Sequence, residues 1–133
     1  MSATRKSGDE LSFASIAELS ALLIRRKISP VELANHFLER IERFQQALNA
    51  FISITRDRAV ADARASEVRH KRKKTLGPLD GIPIALKDNI WTAGIRTTAG
   101  SRILSDFVPD RDATVAARLR KAGAVFLGKT NLH

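Results

Sequence analysis

Three short strand-like runs, separated from one another by helical segments, constrain the fold of this chain more than any other feature. Residues 51–55 alternate and are rich in β-branched side chains, whereas residues 82–86 and 124–127 are apolar throughout. Runs of this length predict strands, and strands that alternate with helices indicate an α/β sheet protein. Pro83 has no N–H to donate to a neighbouring strand, so it should lie either in an edge strand or at the start of a strand.

Two capping patterns predict a pair of helices near the N-terminus. Residues 15–18 form a Ser-x-x-Glu capping box, and residues 29–32 form a second one with proline at the first helical position. The first helix is expected to end near residue 27. The apolar stripes of the two helices predict that they pack together as a hairpin. Residues 1–14 are expected to form an irregular start.

Two further helices are expected after the first predicted strand. Residues 57–72 are rich in alanine and charge, with only a thin apolar stripe. The turn residues within 90–110 predict a long, partly extended connection. Asp112 is expected to cap a last helix that ends at Ala122, and Gly123 is expected to terminate that helix.

A lysine, Lys87, directly follows the apolar run of the second predicted strand. Lysine is rarely buried without a partner, and burial disfavours the charged ammonium, so a lysine in an apolar site loses its proton more readily. Such a lysine can act as a general base. An ordinary strand-end lysine, with its stem on the sheet and its ammonium in water, would have the same local sequence. These residues alone leave both interpretations open.

The sequence around Lys87 contains several blocks in a fixed order. The blocks are residues 81–90 (Gly-Ile-Pro-Ile-Ala-Leu-Lys-Asp-Asn-Ile), 92–101, 112–115 (Asp-Ala-Thr-Val), 119–124 (Leu-Arg-Lys-Ala-Gly-Ala) and 128–131 (Gly-Lys-Thr-Asn). In this order and spacing they resemble the opening part of the amidase signature family, most strongly over residues 77–131 and more weakly over 15–54. That family hydrolyses or transfers carboxamides through a Ser-cisSer-Lys triad. The resemblance implies its fold, a large mixed sheet covered by helices.

The resemblance implies a catalytic role for Lys87. This residue falls on the position of the triad lysine, in the matching context of Gly81, Pro83 and Asp88. The two triad serines of the family lie in a glycine- and serine-rich stretch further downstream. Residues 1–133 are therefore expected to be the N-terminal part of a single amidase domain, with Lys87 as its only triad member and with no activity by itself.

The mechanism that the resemblance implies requires a neutral lysine. This lysine would accept the proton that the bridging serine relays from the nucleophilic serine as the nucleophile attacks the amide carbonyl. Arginine could not replace it, because guanidinium stays protonated. The implied substrate is a small-molecule or aminoacyl amide, and the acyl group would pass to water or to another acceptor. Neither a cofactor nor a metal is expected.

The formal net charge of +9 is compatible with an anionic partner, and residues 69–74 (Arg-His-Lys-Arg-Lys-Lys) form a basic run. Such a run fits a small RNA-binding module, or a solvated helix C-terminus where cations complement the helix dipole. No aromatic side chain interleaves the run to stack on bases, so specific nucleic-acid binding is not expected. A non-catalytic remnant that only folds or pairs with a partner is the other alternative.

Composition also bears on the compartment. The sequence contains no cysteine, so no disulfide or thiol chemistry is available, and its apolar stretches are too short to span a bilayer. A cytoplasmic protein with no membrane contact is expected.

Three other motifs are expected to have no catalytic role. Residues 123–130 match the phosphate-binding pattern G-x-x-x-x-G-K-[ST], but a predicted helix precedes them and an apolar strand lies within them, so no nucleotide site is expected. The histidines, at positions 36, 70 and 133, are too scattered for a metal site. Ser101 is the serine nearest Lys87 in a glycine context. A Ser-Lys dyad is conceivable there, but a turn serine is favoured.

Overall fold

The computed structural model, which describes residues 7–132, contains a mixed sheet packed against helices. The elements, in chain order, are α1 (Gly8–Phe13), α2 (Ile16–Ile24), α3 (Pro30–Leu48), β1 (Phe51–Ile54), α4 (Arg56–Lys71), β2 (Pro83–Lys87), α5 (Thr114–Lys121) and β3 (Val125–Thr130). The strand order is β1-β3-β2, with β1 antiparallel and β2 parallel to the central strand β3. The predicted α/β class is confirmed. Pro83 is the first residue of β2, and β2 lies at an edge of this sheet, so both positions that proline allows are occupied.

Serine caps begin the first three helices. Ser7, Ser15 and Ser29 each accept a hydrogen bond from the backbone N–H of a glutamate three residues later, and that glutamate accepts one from the serine N–H. The boxes at Ser15 and Ser29 confirm the prediction. The box at Ser7 begins α1, so the expectation of an irregular start is wrong for residues 8–13; residues 1–6 lie outside the described part of the chain.

The apolar stripe predicted for α2 is only partly buried. The helix ends at Ile24 rather than near residue 27. Leu19, Leu22 and Leu23 pack with Leu33 of α3 in one cluster. Ile16 and Ile24, in contrast, are 51% and 60% exposed, because the short helix presents only one face to the core.

The central strand β3 is covered on both faces. Val125 and Leu127 pack against α3 and α4, whereas Phe126 packs with Leu86 and with Ala116 of α5. Alternating residues of a strand point to opposite faces, so this division follows from the pleat. Strand β2 is less buried than its apolar sequence indicates, since within residues 7–132 it has a neighbouring strand on one side only.

The last helix begins differently from the prediction. Its N-cap is Ala113, which provides no side-chain hydrogen bond, so the prediction that Asp112 is the cap is wrong. The Asp112 carboxylate instead accepts hydrogen bonds from the backbone N–H of Ala93 at 2.7 Å and from Nε of Arg120 at 2.8 Å. It thereby ties α5 to the preceding loop. The predicted terminating glycine is confirmed: Gly123 has a φ of +86°, a conformation that L side chains rarely adopt.

Candidate active site

Lys87 is the last residue of β2, at the carboxyl end of its parallel pair with β3, opposite Thr130. Its side chain is exposed, and within residues 7–132 its ammonium forms no hydrogen bond or ion pair. The expectation of a buried apolar setting is therefore wrong for this part of the chain. Leu86, which points to the opposite face, is the buried neighbour. The geometry matches the alternative interpretation, a strand-end lysine whose ammonium reaches solvent.

The backbone that follows Lys87 is firmly anchored. The N–H of Asp88 donates to the carbonyl of Thr130 at 3.0 Å, and the N–H of Ile90 donates to the carbonyl of Lys87 at 2.9 Å. The Asp88 side chain is fully buried, and its Oδ2 accepts hydrogen bonds from the backbone N–H and the Oγ1 of Thr98, at 3.0 and 2.5 Å. The carboxylate therefore closes the loop over residues 88–98 at both of its ends.

The buried lysine of this region is Lys129, which sequence reasoning missed. It lies on β3, pairs with Leu86 across the ladder and is 1% exposed. Its Nζ donates to the carbonyl of Ile90 at 2.6 Å, to Oγ1 of Thr97 at 2.9 Å and to Oγ1 of Thr92 at 3.1 Å. The Oδ1 of Asp88 lies 3.9 Å from the same nitrogen.

Two opposing effects act on the charge of Lys129. Burial lowers the pKa of its ammonium, and the nearby charge of Asp88 partly offsets that effect by raising it. The hydroxyls of Thr92 and Thr97 donate their protons to the carbonyls of Ile90 and Ile95, so both face Lys129 as acceptors. Three acceptors surround the nitrogen, and only the ammonium has three N–H groups to satisfy them. The geometry therefore favours the charged form.

The phosphate-binding pattern does not form a phosphate loop. Gly128, Lys129 and Thr130 all lie within β3, so their backbone groups belong to a strand. Gly128 is required there for a different reason: a Cβ at this position would come within 2.3 Å of the carbonyl oxygen of Ser53 on β1. A lysine that continues an apolar run was the available sequence signal for Lys129.

Ser101 is a turn residue. Its N–H donates to the carbonyl of Thr98 at 2.9 Å, and its Oγ accepts from the N–H of Ile103 at 3.2 Å. Within residues 7–132 no hydrogen bond joins Ser101 to Lys87. The expectation of a turn serine rather than a dyad is confirmed for the described chain.

The basic run begins inside the fold rather than on its surface. The guanidinium of Arg69 donates two hydrogen bonds to the Asp80 carboxylate, at 2.7 and 2.8 Å, and the buried His70 ring contacts the Asp80 carbonyl at 3.0 Å. Lys71 pairs with Glu67 one turn earlier, and α4 ends there. The interpretation as a helix C-terminus fits this geometry, and residues 71–74 are the exposed part of the run.

We expect weak, nonspecific nucleic-acid binding at most, because four exposed cations, of which Lys71 is already paired with Glu67, supply only a small electrostatic contribution without stacking partners. A salt titration of RNA binding measures this, with a variant in which Arg72, Lys73 and Lys74 are changed to serine as its control. Submicromolar affinity at about 0.15 M salt, or a preference for one sequence, would instead favour an RNA-binding module.

The histidines of the described chain have structural partners. His36 contacts the Oγ of Ser12 at 2.9 Å, and His70 contacts Asp80; His133 lies outside the described residues. Over residues 7–132 no group of three or more His, Asp or Glu side chains is arranged to hold a metal ion. No helix within the same range is long and apolar enough to cross a membrane.

The mixed sheet and its covering helices are of the α/β class, and the ordered blocks around Lys87 are those of the amidase signature enzymes. The amidase family model matches residues 32–133, and the chain belongs to this family. It is 53% identical over 119 residues to a glutamyl-tRNA(Gln) amidotransferase subunit from Azoarcus sp. (strain BH72), covering 90% of this chain and 24% of that protein. The corresponding subunit from Moorella thermoacetica is 47% identical over 123 residues, covering 92% and 25%.

Solved structures show the same fold. The native peptide amidase from Stenotrophomonas maltophilia superimposes with a TM-score of 0.87 and 37% identity, covering 95% of this chain and 26% of that one. A fatty acid amide hydrolase matches with a TM-score of 0.85 and 27% identity, covering 92% and 22%. The chain thus spans about a quarter of the length of the relatives that it matches.

Proposed function

We propose that this chain is the N-terminal part of an amidase domain and supplies Lys87 as the general base of a Ser-cisSer-Lys triad. The observation that carries the proposal is the placement of Lys87 at the carboxyl end of an edge strand, with an ammonium that is free within residues 7–132. Ligands of α/β sheets commonly bind outside the carboxyl ends of parallel strands. Family membership supports the same assignment.

The free ammonium fits a role that needs further groups around it. A base must lie within hydrogen-bond reach of the proton that it accepts, and the serine that donates this proton is proposed to lie in the remainder of the domain. An apolar, water-excluding surrounding favours the neutral amine over the ammonium. In the complete enzyme, polypeptide packed against the open edge of β2 would provide that surrounding.

The proposed substrates are carboxamides. Relatives of this chain bear the names glutamyl-tRNA(Gln) amidotransferase and peptide amidase, which share chemistry at an amide carbonyl. Attack by a serine releases the amine and leaves an acyl-enzyme, whose acyl group passes to water in a hydrolase or to another acceptor in a transferase. A cytoplasmic location is part of the proposal.

The test is ammonia release from a panel of glutamine, benzamide and a C-terminally amidated dipeptide. Residues 1–133 alone are compared with the complete enzyme, meaning this chain joined to the rest of an amidase domain. We expect turnover by the complete enzyme and none by the 133-residue chain, because one lysine cannot replace a nucleophile and oxyanion donors. No turnover by the complete enzyme would refute the proposal. Turnover by the short chain that is lost in Ser101→Ala would instead establish a dyad.

A further inference from the structure

A buried polar cluster lies beneath the loop that directly follows Lys87. We call it the Lys129 cluster; its members are Asp88, Thr92, Thr97, Thr98 and Lys129, each 5% exposed or less. Polar groups in such a position are costly unless they are paired. The proposed chemistry of Lys87 uses none of these side chains, so the cluster needs an explanation of its own.

The cluster organises the loop around a single cation. The three N–H groups of the Lys129 ammonium meet one backbone carbonyl and two threonine hydroxyls, so its donors are fully used. Those acceptors belong to Ile90, Thr92 and Thr97, which are spread along the loop. One side chain therefore holds several loop positions against the central strand.

Asp88 supplies the opposing charge. Its Oδ2 is hydrogen-bonded to Thr98, whereas its buried Oδ1 has no hydrogen-bond partner within residues 7–132 and lies 3.9 Å from Nζ of Lys129. At that separation the attraction is electrostatic rather than a hydrogen bond. Removal of the ammonium would leave a buried carboxylate without its compensating charge.

A short chain of contacts connects this cluster to Lys87. Nζ of Lys129 donates to the carbonyl of Ile90 at 2.6 Å, and the N–H of Ile90 donates to the carbonyl of Lys87 at 2.9 Å. The hydrogen bond from Ile90 ends on Lys87 itself, so this turn directly restrains the backbone at Lys87. The orientation of the Lys87 side chain depends on that backbone.

We propose that Lys129 is a positioning residue that fixes the backbone of Lys87 through Ile90 and Asp88. The inference rests on the proposed function, since it assigns Lys129 a role in placing the base. Lys129 need not touch the substrate: it acts from the face of the sheet opposite to Lys87, because the two residues occupy successive rungs of the β2–β3 ladder.

The test compares Lys129→Met, which keeps an unbranched apolar side chain as far as Cε and removes the ammonium, with Lys121→Met on the exposed end of α5. Both variants are made in the complete enzyme, and ammonia release is measured with the carboxamide of the panel that the wild type turns over. For Lys129→Met we expect kcat per folded enzyme to fall about 30-fold or more, with KM within about threefold, because a misplaced base impairs chemistry more than binding. Lys121→Met should match the wild type.

Amide hydrogen exchange separates positioning from general destabilisation. In Lys129→Met the Ile90 and Thr98 amides should exchange at least about tenfold faster, while the Val125 amide in β3 keeps its protection. Equal acceleration at Val125, with total turnover falling only in proportion to the folded fraction and kcat per folded enzyme unchanged, would assign Lys129 a purely structural role. A kcat within twofold of the wild type would also overturn the proposal.

A milder variant covers the case in which Lys129→Met does not fold. Thr97→Val removes one acceptor of the ammonium and should lower kcat about three- to tenfold; an unchanged kcat would refute the positioning role. Failure of the proposed function has a different signature. If Lys87→Ala retains full turnover, Lys87 is not the base, whereas the exchange of the Ile90 amide still reports whether Lys129 holds the loop.

Discussion

Replacement of Lys87 by alanine is expected to lower kcat for amide hydrolysis by about a thousandfold or more in the complete enzyme. A positioned general base typically contributes about 10²–10⁴ in rate, and members of a triad act as a unit. A thousandfold loss corresponds to about 4 kcal/mol of transition-state stabilisation. Lys87 is exposed and its ammonium forms no hydrogen bond or ion pair within residues 7–132, so its loss should leave folding intact.

Lys121→Ala is the matched control for this variant. Both lysines are exposed, but Lys121 lies in the last turn of α5 rather than at the end of β2. The control should keep wild-type kcat, and both variants should melt within a few degrees of the wild type. The base assignment is wrong if Lys87→Ala retains more than about a tenth of the wild-type kcat, a loss below about 1.4 kcal/mol.

The largest stability effect is expected at Asp80. Its side chain is fully buried, and its two oxygens accept hydrogen bonds from Oγ of Ser66, from the guanidinium of Arg69 and from the N–H of Leu76. Asp80→Ala leaves these donors unpaired, and Arg69 loses its counter-ion. Breaking one partner of such a pair costs about 3–5 kcal/mol when both groups are buried. Because Arg69 is 28% exposed, we expect about 3 kcal/mol.

Urea unfolding followed by circular dichroism measures this loss. If the free energy of unfolding falls by about 1.5 kcal/mol per molar urea, the urea midpoint of Asp80→Ala should lie about 2 M below that of the wild type. Asp106→Ala, at an exposed carboxylate in the 88–113 connection, is the control and should stay within a few tenths of a molar of the wild type. An equally small shift for Asp80→Ala would show that the Asp80 network does not stabilise the fold.

The Asp80 contribution should also depend on pH. Burial raises the pKa of its carboxyl, but the hydrogen bonds from Arg69, Leu76 and Ser66 outweigh burial and hold the pKa below its ordinary value. A carboxyl with a lowered folded-state pKa stabilises the fold fully above the unfolded pKa of about 3.9, and the stabilisation disappears as the pH falls through the folded value. The stability difference between the wild type and Asp80→Asn should therefore shrink progressively as the pH falls below the unfolded pKa and through the lowered folded-state pKa. A difference that stays constant from pH 7 to pH 2 would contradict the charged role of Asp80.

Local signals predicted the elements well because they act over a few residues. The serine boxes at Ser15 and Ser29, the edge position of Pro83 and the terminating Gly123 all follow from backbone chemistry that is visible in short windows. Asp112 shows the limit of such signals. It lies where a helix cap is expected, but its carboxylate accepts hydrogen bonds from Arg120 and from the N–H of Ala93 instead. Ala93 lies 19 residues away in sequence, outside any local pattern.

The candidate active site was harder to predict from short-range sequence signals than the helices and strands were. Lys87 and Lys129 both occur in apolar segments, and the sequence does not reveal which of them is buried. The outcome depends on the register of β2 against β3, which shifts between Ile84 and Ala85 and so sets which residues face the helices. The acceptors that Lys129 meets, at Thr92 and Thr97, come from a loop more than 30 residues earlier in the chain. No pattern within a short sequence window predicts these contacts of Lys129.

The most direct test of Lys87 as the base is chemical rescue in the complete enzyme. Lys87→Cys is alkylated with 2-bromoethylamine, which gives S-aminoethylcysteine. This side chain has the amine of lysine and differs from it by a sulfur in place of one methylene. Residues 1–133 contain no cysteine, and alkylated wild type controls for any thiol elsewhere. We predict that Lys87→Cys has less than about a hundredth of wild-type kcat, a loss of more than about 2.7 kcal/mol of transition-state stabilisation. The alkylated variant should recover at least about a tenth of wild-type kcat. Complete alkylation at position 87, verified by mass spectrometry, without recovery of turnover would contradict the account.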